Sequence, residues 1–192
     1  MVREKFTEKS LEGIRVLVIS NALHKSNVNH WILLTPSAFD ESEITAVQSW
    51  VQAGGSLLLI ADHMPFGGAA AKLAAAFGVE FSNVYAIDPA QGGSQLVFRR
   101  DDRSLGNHEV TEGISQVATF TGSALRLPVQ AVPLFIFGDS AYGNLVEDAR
   151  KCLSQNNRSK LNNYSKASQR YLKFCFFFFL SAFIGVYRRP IN

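Results

Sequence analysis

The sequence predicts an α/β domain built as a three-layer sandwich, with helices on both faces of a mostly parallel sheet. Residues 56–61, SLLLIA, form an unbroken aliphatic run, which is typical of a strand that is buried on both faces. Strand-like and helix-like segments also alternate along residues 14–77, which is the order found in βαβ units. These two observations together predict the fold class.

The first two elements are marked clearly in the sequence. Residues 14–20, IRVLVIS, are rich in β-branched side chains and predict a buried strand. A helix is predicted next, with Asp40 as its N-cap and Glu43 completing a capping box three residues later. Gly54 or Gly55 is expected to end this helix, because glycine adopts the left-handed backbone conformation without strain. The aliphatic run follows directly.

The remaining elements are predicted by composition. An alanine-rich helix is expected at Gly68–Phe77, and its small side chains let it lie close to the sheet. Residues 85–113 are polar and predict loops. Residues 116–120, QVATF, and 132–137, VPLFIF, predict two more strands. We therefore expect one domain over residues 1–150.

The charges of the chain are distributed unevenly. The net charge is +3, but residues 1–150 contain all 16 acidic residues and 11 of the 19 basic ones, a net charge of −5. Residues 151–192 contain the other eight basic residues and no acid. The body of the chain lacks the basic stripe that nucleic-acid binding needs, so we expect no nucleic-acid partner.

Residues 151–192 differ in composition from the rest and predict a separate tail. The segment Phe174–Tyr187 is apolar but shorter than the roughly 20 residues of a spanning helix. The tail is foreign to the fold, a short membrane anchor, or an element packed in the domain, and the anchor is not favoured. Cys152 and Cys175, both in the tail, are too few for a disulfide framework.

The cellular location follows from the same observations. The charged segment at residues 1–13 lacks the apolar stretch of a signal peptide, and the low cysteine content indicates a reducing compartment. We expect a cytoplasmic protein, with membrane anchoring through the tail as the alternative. The sequence indicates no oligomeric state.

Two stretches carry a resemblance to a known family. Residues 38–81, AFDESEITAVQSWVQAGGSLLLIADHMPFGGAAAKLAAAFGVEF, combine a helix, a Gly-Gly pair, an aliphatic strand and an Asp-His pair. Residues 107–125, NHEVTEGISQVATFTGSAL, contain a His-x-x-Thr-x-Gly element. With them, residues 11–133 resemble a branch of the class I glutamine-amidotransferase-like superfamily, akin to ThuA-like, GldG-like and GIFT-type proteins. The resemblance implies a flavodoxin-like architecture.

The chain departs from this superfamily in two ways. Glutamine amidotransferases carry a nucleophilic cysteine at the turn between strand and helix, where this chain has Asp62, His63 and Met64. Relatives also continue into a further strand region after about residue 148, which the tail does not match. The resemblance therefore implies a domain without glutaminase activity, whose sheet lacks its last strand or strands.

The candidate site lies at the end of the aliphatic strand. Ligands of parallel α/β sheets bind beyond the carboxyl ends of the strands, where Asp62 and His63 are expected. Asp62 can accept a hydrogen bond from a ligand, and His63 can act as a general base near neutral pH. Gly67 and Gly68, at the following helix start, are candidate ligand-binding residues because glycine lets a ligand approach the backbone.

Three more residues complete the candidate set. His108, in a loop, joins Asp62 and His63 as a tentative catalytic group, although it has an alternative role in fixing its own loop. Asn21 and His24 follow the first strand and are candidate ligand-binding residues. The histidines show none of the close spacings typical of metal ligands, so we expect no metal and no cofactor.

Three functions remain open at this point. The first is an amidotransferase-like domain that has lost its nucleophile and binds a small polar ligand. The second is a hydrolase or lyase that uses Asp62, His63 and His108. The third is a scaffold or interaction module with a membrane-associated tail. The missing cysteine favours the first function.

Overall fold

The computed structural model describes residues 4–29 and 35–144, together with residues 182–183, and it has the mixed α/β character that the sequence predicts. The α-helices are α1 (Glu8–Leu11), α2 (Glu41–Gln52) and α3 (Phe66–Ala75). The strands are β1 (Val16–Ser20), β2 (Ser56–Ala61), β3 (Glu80–Phe81), β4 (Tyr85–Ile87), β5 (Gln95–Arg99), β6 (Gln116–Phe120), β7 (Leu125–Arg126), β8 (Tyr142–Asn144) and β9 (Ala182–Phe183).

The first two strands form a parallel pair that is connected through α2. Their register runs from Val16 opposite Ser56 to Ser20 opposite Ile60. A parallel pair needs a crossover connection, and the amphipathic α2 supplies it. The predicted βαβ order is therefore confirmed for this unit, and β2 has the bounds that the aliphatic run predicts.

The capping box at the start of α2 forms as predicted. The Asp40 carboxylate accepts the backbone N–H of Glu43 at 2.9 Å, and the Glu43 carboxylate accepts the N–H of Asp40 at 3.1 Å. Glu43 also accepts the N–H of Phe6 at 3.3 Å, which ties the N-terminal segment to the helix. Gly54, with a φ of 107°, takes the left-handed conformation after the helix end.

The parallel pair is buried on one face only. Leu57 and Leu59 pack in a core with Val47 of α2 and Leu73 of α3. On the other face of β1, Val16 is 61% exposed and Val18 is 55% exposed. The prediction that the first strand is buried is therefore wrong for this face, because the described residues place α2 and α3 against the opposite one.

Helix α3 follows β2 closely, as its composition predicts. It begins at Phe66 and ends at Ala75, which shifts it two residues towards the N-terminus of the predicted range. Ala70 and Ala74 are buried in the core with β2, and their single methyl groups allow the close packing. Gly78, with a φ of 74°, lies in the turn after the helix.

The other ladders between residues 80 and 144 are short and antiparallel. They pair β3 with β7, β4 with β8, and β5 with β6. The prediction of loops over residues 85–113 is wrong at β4 and β5. In β5, Leu96 and Phe98 alternate with more exposed neighbours, which is the period of a strand with one buried face.

The apolar run at residues 132–137 is part of the core but is not a strand. Phe135 forms one isolated bridge with Leu105, while Leu134 and Phe137 are buried beside it. Two backbone hydrogen bonds, from the Gly106 N–H to Leu134 and from the Ile136 N–H to Ser104, flank this single bridge. The predicted strand is therefore wrong, although Leu134, Phe135 and Phe137 are buried.

These ladders correct the predicted architecture. The described residues form small sheets that are mostly two-stranded, with β1 and β2 as their parallel pair, and they do not form a clear three-layer sandwich. Of the tail, residues 182–183 form β9, where Phe183 lies opposite Ile60 in an antiparallel pair. The predicted boundary at residue 150 and the apolar segment Phe174–Tyr187, apart from β9, lie outside the described residues. No helix within the described parts of the chain is long and apolar enough to cross a membrane.

Gly67 tests the close packing of α3 against the segment that precedes β4. A Cβ atom at Gly67 would lie 2.6 Å from the backbone carbonyl oxygen of Ser82, which cannot move aside as a flexible side chain can. We expect Gly67→Ala to destabilise the fold by about 1–3 kcal/mol and to lower Tm by about 5 °C. Thermal denaturation followed by circular dichroism measures the change.

Gly138→Ala is the matched control for this substitution. The nearest atoms to its added Cβ lie 4.0 Å away, and the backbone there is not left-handed. We expect its Tm to remain within about 1 °C of the wild type. Equal Tm values for the two variants would contradict the close contact at Gly67.

Candidate functional site

Asn21 and Asp62 lie side by side at the carboxyl ends of β1 and β2. The N–H of Asn21 donates to the carbonyl oxygen of Ile60 at 2.9 Å, and its side-chain oxygen accepts the N–H of Asp62 at 2.9 Å. Asn21 has a φ of 48°, a left-handed conformation that asparagine tolerates better than most residues. The side chain of Asn21 thus closes the end of the strand pair, and a ligand would meet Asp62 directly beyond it.

Asp62 is a buried carboxyl group with its two oxygens in different surroundings. The residue is 6% exposed. Its Oδ1 accepts the backbone N–H of His63 at 2.8 Å, whereas its Oδ2 lies 4.0 Å from the His63 Nε2, beyond hydrogen-bonding distance. No hydrogen bond to Oδ2 forms within the described residues. Oδ2 therefore keeps its capacity to accept.

The surroundings of His63 determine which ring nitrogen carries its hydrogen. Its Nδ1 lies 2.5 Å from the carbonyl oxygen of Met64, and a carbonyl oxygen can only accept. Nδ1 is therefore the donor in both the neutral and the charged ring. The other ring nitrogen, Nε2, lies 4.0 Å from the Oδ2 of Asp62.

Two aromatic rings pack against His63. The ring of Tyr85 stacks on the imidazole with centroids 4.1 Å apart and an angle of 16° between the planes, and Phe66 lies at 5.9 Å. Tyr85 comes from β4, in the range predicted to be loop, so the sequence did not single it out. Its signal was the alternation of buried and half-buried residues along β4.

The folded protein holds Asp62 in surroundings that disfavour its charged form. Burial raises the pKa of Asp62 above its usual range, and the N–H and the ring of His63 offset this only in part. Burial also raises the pKa of Tyr85, and the nearby Asp62 charge raises it further. The shift of the Tyr85 pKa places the two groups within electrostatic reach of each other.

The two glycines at the start of α3 are occupied by protein contacts. Gly67 is buried against the backbone of Ser82, and the N–H of Gly68 donates to the side-chain oxygen of Asn83 at 3.0 Å. Asn83 in turn donates to the Thr35 hydroxyl at 2.9 Å. The structure therefore gives both glycines a packing role at this helix start.

His24 and His108 each cap a short 3-10 turn. The Nδ1 of His24 accepts the N–H of Ser26 at 3.3 Å, and the Nδ1 of His108 accepts the N–H of Val110 at 3.2 Å. His108 is exposed, and the Thr111 hydroxyl completes its capping box. This is the loop-fixing role that the sequence left open as an alternative.

The structure does not assemble a metal site from these residues. Within residues 4–29 and 35–144, no three His, Cys, Asp or Glu side chains lie close enough together to hold a metal ion. Asp62, His63 and His108 therefore do not form a three-ligand set. His108 instead lines an open cavity of about 310 Å³ with five other residues, Arg100, Asn107, Glu109, Glu112 and Gly113.

Arg100 is a structural residue that the sequence analysis missed. Its guanidinium donates to the carbonyl oxygens of Gly106 at 2.5 Å and Ile114 at 3.1 Å, and to the side chain of Asn107 at 2.7 Å. It also donates to the carbonyl oxygen of Thr111. One side chain thus holds the loop that carries His108. The local sequence, RRDD at residues 99–102, gives no sign of this role.

Asp88 is a second buried acid in the opposite situation. Burial opposes its ionisation, but hydrogen bonds from the Ser140 hydroxyl, the Gln91 amide and the Ala90 N–H outweigh it and lower the pKa of Asp88. Their distances are 2.6, 2.9 and 3.1 Å. Both Asp88 oxygens are therefore satisfied by the protein.

Comparison of the chain with models of known protein families, with curated proteins and with solved structures finds no match. The resemblance to the glutamine-amidotransferase-like superfamily therefore stays a prediction, and the candidate site is interpreted from its own geometry.

The substitution of aspartate by asparagine is expected to change the stability of the fold in opposite directions at Asp62 and at Asp88. Asp62→Asn removes a desolvated charge, and the new amide keeps an oxygen for the His63 N–H. We expect it to stabilise the fold at pH 7 by about 1 kcal/mol, or about 3 °C in Tm. Asp88→Asn replaces one accepting oxygen by an NH2 group that faces the donors of the protein. We expect it to lower the free energy of unfolding by about 1–3 kcal/mol.

The difference in stability between each variant and the wild type is expected to become smaller at low pH. The raised pKa of Asp62 makes its ionised form unfavourable only at pH values above the unfolded pKa of about 4. The lowered pKa of Asp88 makes its stabilisation present above that value and lost as pH falls through the folded pKa. Urea denaturation from pH 3 to pH 8 measures the free energy of unfolding of both variants and the wild type. If both substitutions change this free energy in the same direction at pH 7, the prediction is wrong.

Proposed function

We propose that this domain binds a small polar ligand at the crevice beyond the carboxyl ends of β1 and β2, with Asp62 as its principal contact. The observation that carries this proposal is the Oδ2 of Asp62: the residue is buried, yet this oxygen accepts no hydrogen bond from the described residues and is not sealed from solvent. A carboxylate that is largely removed from water and incompletely paired is costly, and such groups concentrate where a ligand or a reaction uses them. The ligand supplies the missing donor.

The position of Asp62 supports the same proposal. The carboxyl ends of parallel strands are the usual ligand sites of α/β sheets, and Asp62 and Asn21 lie at this end. Both rings beside the crevice, those of His63 and Tyr85, are only partly buried. They offer a ligand two polar atoms and an apolar wall.

We further propose that the domain is an amidotransferase-like α/β domain without glutaminase activity. The order of β1, α2, β2 and α3, with Asp62-His63 after β2, supports the family proposal. Both cysteines of the chain lie beyond residue 150, so the strand-to-helix turn carries no thiol nucleophile. Purified protein is expected to release no ammonia from glutamine above the rate of a boiled sample.

The alternative function, a hydrolase or lyase, is less well supported by the geometry. A general base needs a free nitrogen that faces the substrate. The Nδ1 of His63 is held by Met64, its Nε2 faces Asp62, and His108 caps its own loop. The scaffold function depends on the tail, most of which lies outside the described residues.

A ligand screen tests the proposed binding function. Thermal shift is measured for wild type and Asp62→Asn with a panel of monosaccharides, nucleosides, polyols, amino acids and amines. We expect at least one compound to give a saturable increase in Tm that becomes at least tenfold weaker in the variant. The loss follows because Asp62→Asn replaces a charged acceptor with a neutral amide.

Asp139→Asn is the matched control, because Asp139 is exposed and the substitution changes the net charge equally. It is expected to bind the same compound as the wild type does. If no compound gives a saturable shift, or if Asp62→Asn and Asp139→Asn bind equally well, the proposed site is wrong.

A further inference from the structure

Asp62 has no lysine or arginine partner in the part of the chain that the structure describes. Among residues 4–29 and 35–144, no lysine or arginine forms an ion pair with it, and the ring of His63 at 4.0 Å is its ionic neighbour. Other acids of the chain do have cations: Asp40 pairs with Lys5 at 2.7 Å, and Glu41 pairs with Lys72 at 2.7 Å. Those pairs are exposed, whereas Asp62 is buried without a cation and, unlike Asp88, without neutral donors to both oxygens.

The side chains that pack against His63, the neighbour of Asp62, are aromatic. The ring of Tyr85 stacks on the imidazole at 4.1 Å, and that of Phe66 lies at 5.9 Å from it. Aromatic faces attract cations because their π electrons carry partial negative charge. A carboxylate next to such a cluster recognises a small cation better than it recognises a neutral donor.

Two other ligand classes fit the site less well. A divalent metal ion needs several oxygen or nitrogen ligands, and no set of three such side chains occurs in the described part of the chain. An anion is repelled by the carboxylate, and the N–H of Gly68 at the helix start is occupied by Asn83. The body of the chain, with a net charge of −5, also attracts cations over longer distances.

We infer that the ligand of this site is a small organic amine, bound as its ammonium ion between the Oδ2 of Asp62 and the aromatic side chain of Tyr85. The ammonium donates a hydrogen bond to Oδ2 and supplies a positive charge that no described lysine or arginine provides there. This inference rests on the proposed binding function and narrows its ligand class.

Calorimetric titration with a charged and a neutral probe tests the inference. The probes are n-propylammonium chloride and 1-propanol, which have the same chain length, at pH 7.5 and constant ionic strength set with sodium chloride. We expect the ammonium probe to bind at least tenfold more tightly than the alcohol. Asp62→Asn is expected to weaken ammonium binding at least tenfold and to leave the weak alcohol binding unchanged.

Variants at Tyr85 separate the ring from its hydroxyl group. Tyr85→Phe retains the aromatic face and is expected to bind the ammonium probe within about twofold of wild type. Tyr85→Leu removes the face and is expected to weaken binding about fivefold. Circular dichroism confirms that each variant is folded, and Asp139→Asn is the control for net charge.

The outcomes distinguish this inference from the function on which it rests. If a neutral compound of the screening panel binds through Asp62 while the ammonium probe does not, the inference is wrong and the binding function stands. If neither class binds, both fail. If ammonium binding is equal in wild type and Asp62→Asn, the cation is held by general surface charge and the inference is overturned.

Discussion

The structure around the site depends on one connection, the closure of the β1–β2 pair by Asn21. Its backbone bonds to Ile60 and its side chain to the N–H of Asp62, so that the residue fixes where both strands end. The left-handed backbone of Asn21 lets both bonds form at once. Because Asp62 continues directly into the turn before α3, its carboxylate is positioned by the sheet rather than by a loop.

Local sequence signals predicted the elements that are stabilised locally. The capping box of α2 and the bounds of β2 follow from neighbours within a few residues, and both are confirmed. Residues 132–137 were predicted as a strand because their composition is apolar. Whether they form one depends on the partner across from them, and the facing segment forms only the bridge between Leu105 and Phe135. Pairing between distant segments is not written in local composition, and β5 was missed for the same reason.

The candidate site shows the same difference between what local sequence predicts and what depends on distant segments. Asp62 and His63 were found because the end of a parallel strand is a position with a known use, and the structure places them there together with Asn21. Tyr85 was missed because its stacking on His63 joins residues that are distant along the chain. His108 was grouped with them by residue type alone, and its ring instead serves its own turn.

The comparison of Asp62 with Asp88 supports the proposed role of Asp62 more clearly than burial does. Both are buried aspartates, but their hydrogen bonds differ. Around Asp88 the fold supplies a donor to each oxygen, which is what a structural carboxylate needs. Around Asp62 the described residues supply one donor, the N–H of His63, and none to Oδ2. Since an incompletely paired carboxylate in a largely buried residue lowers stability, the proposed binding function explains its retention: a molecule from outside the chain supplies the second donor.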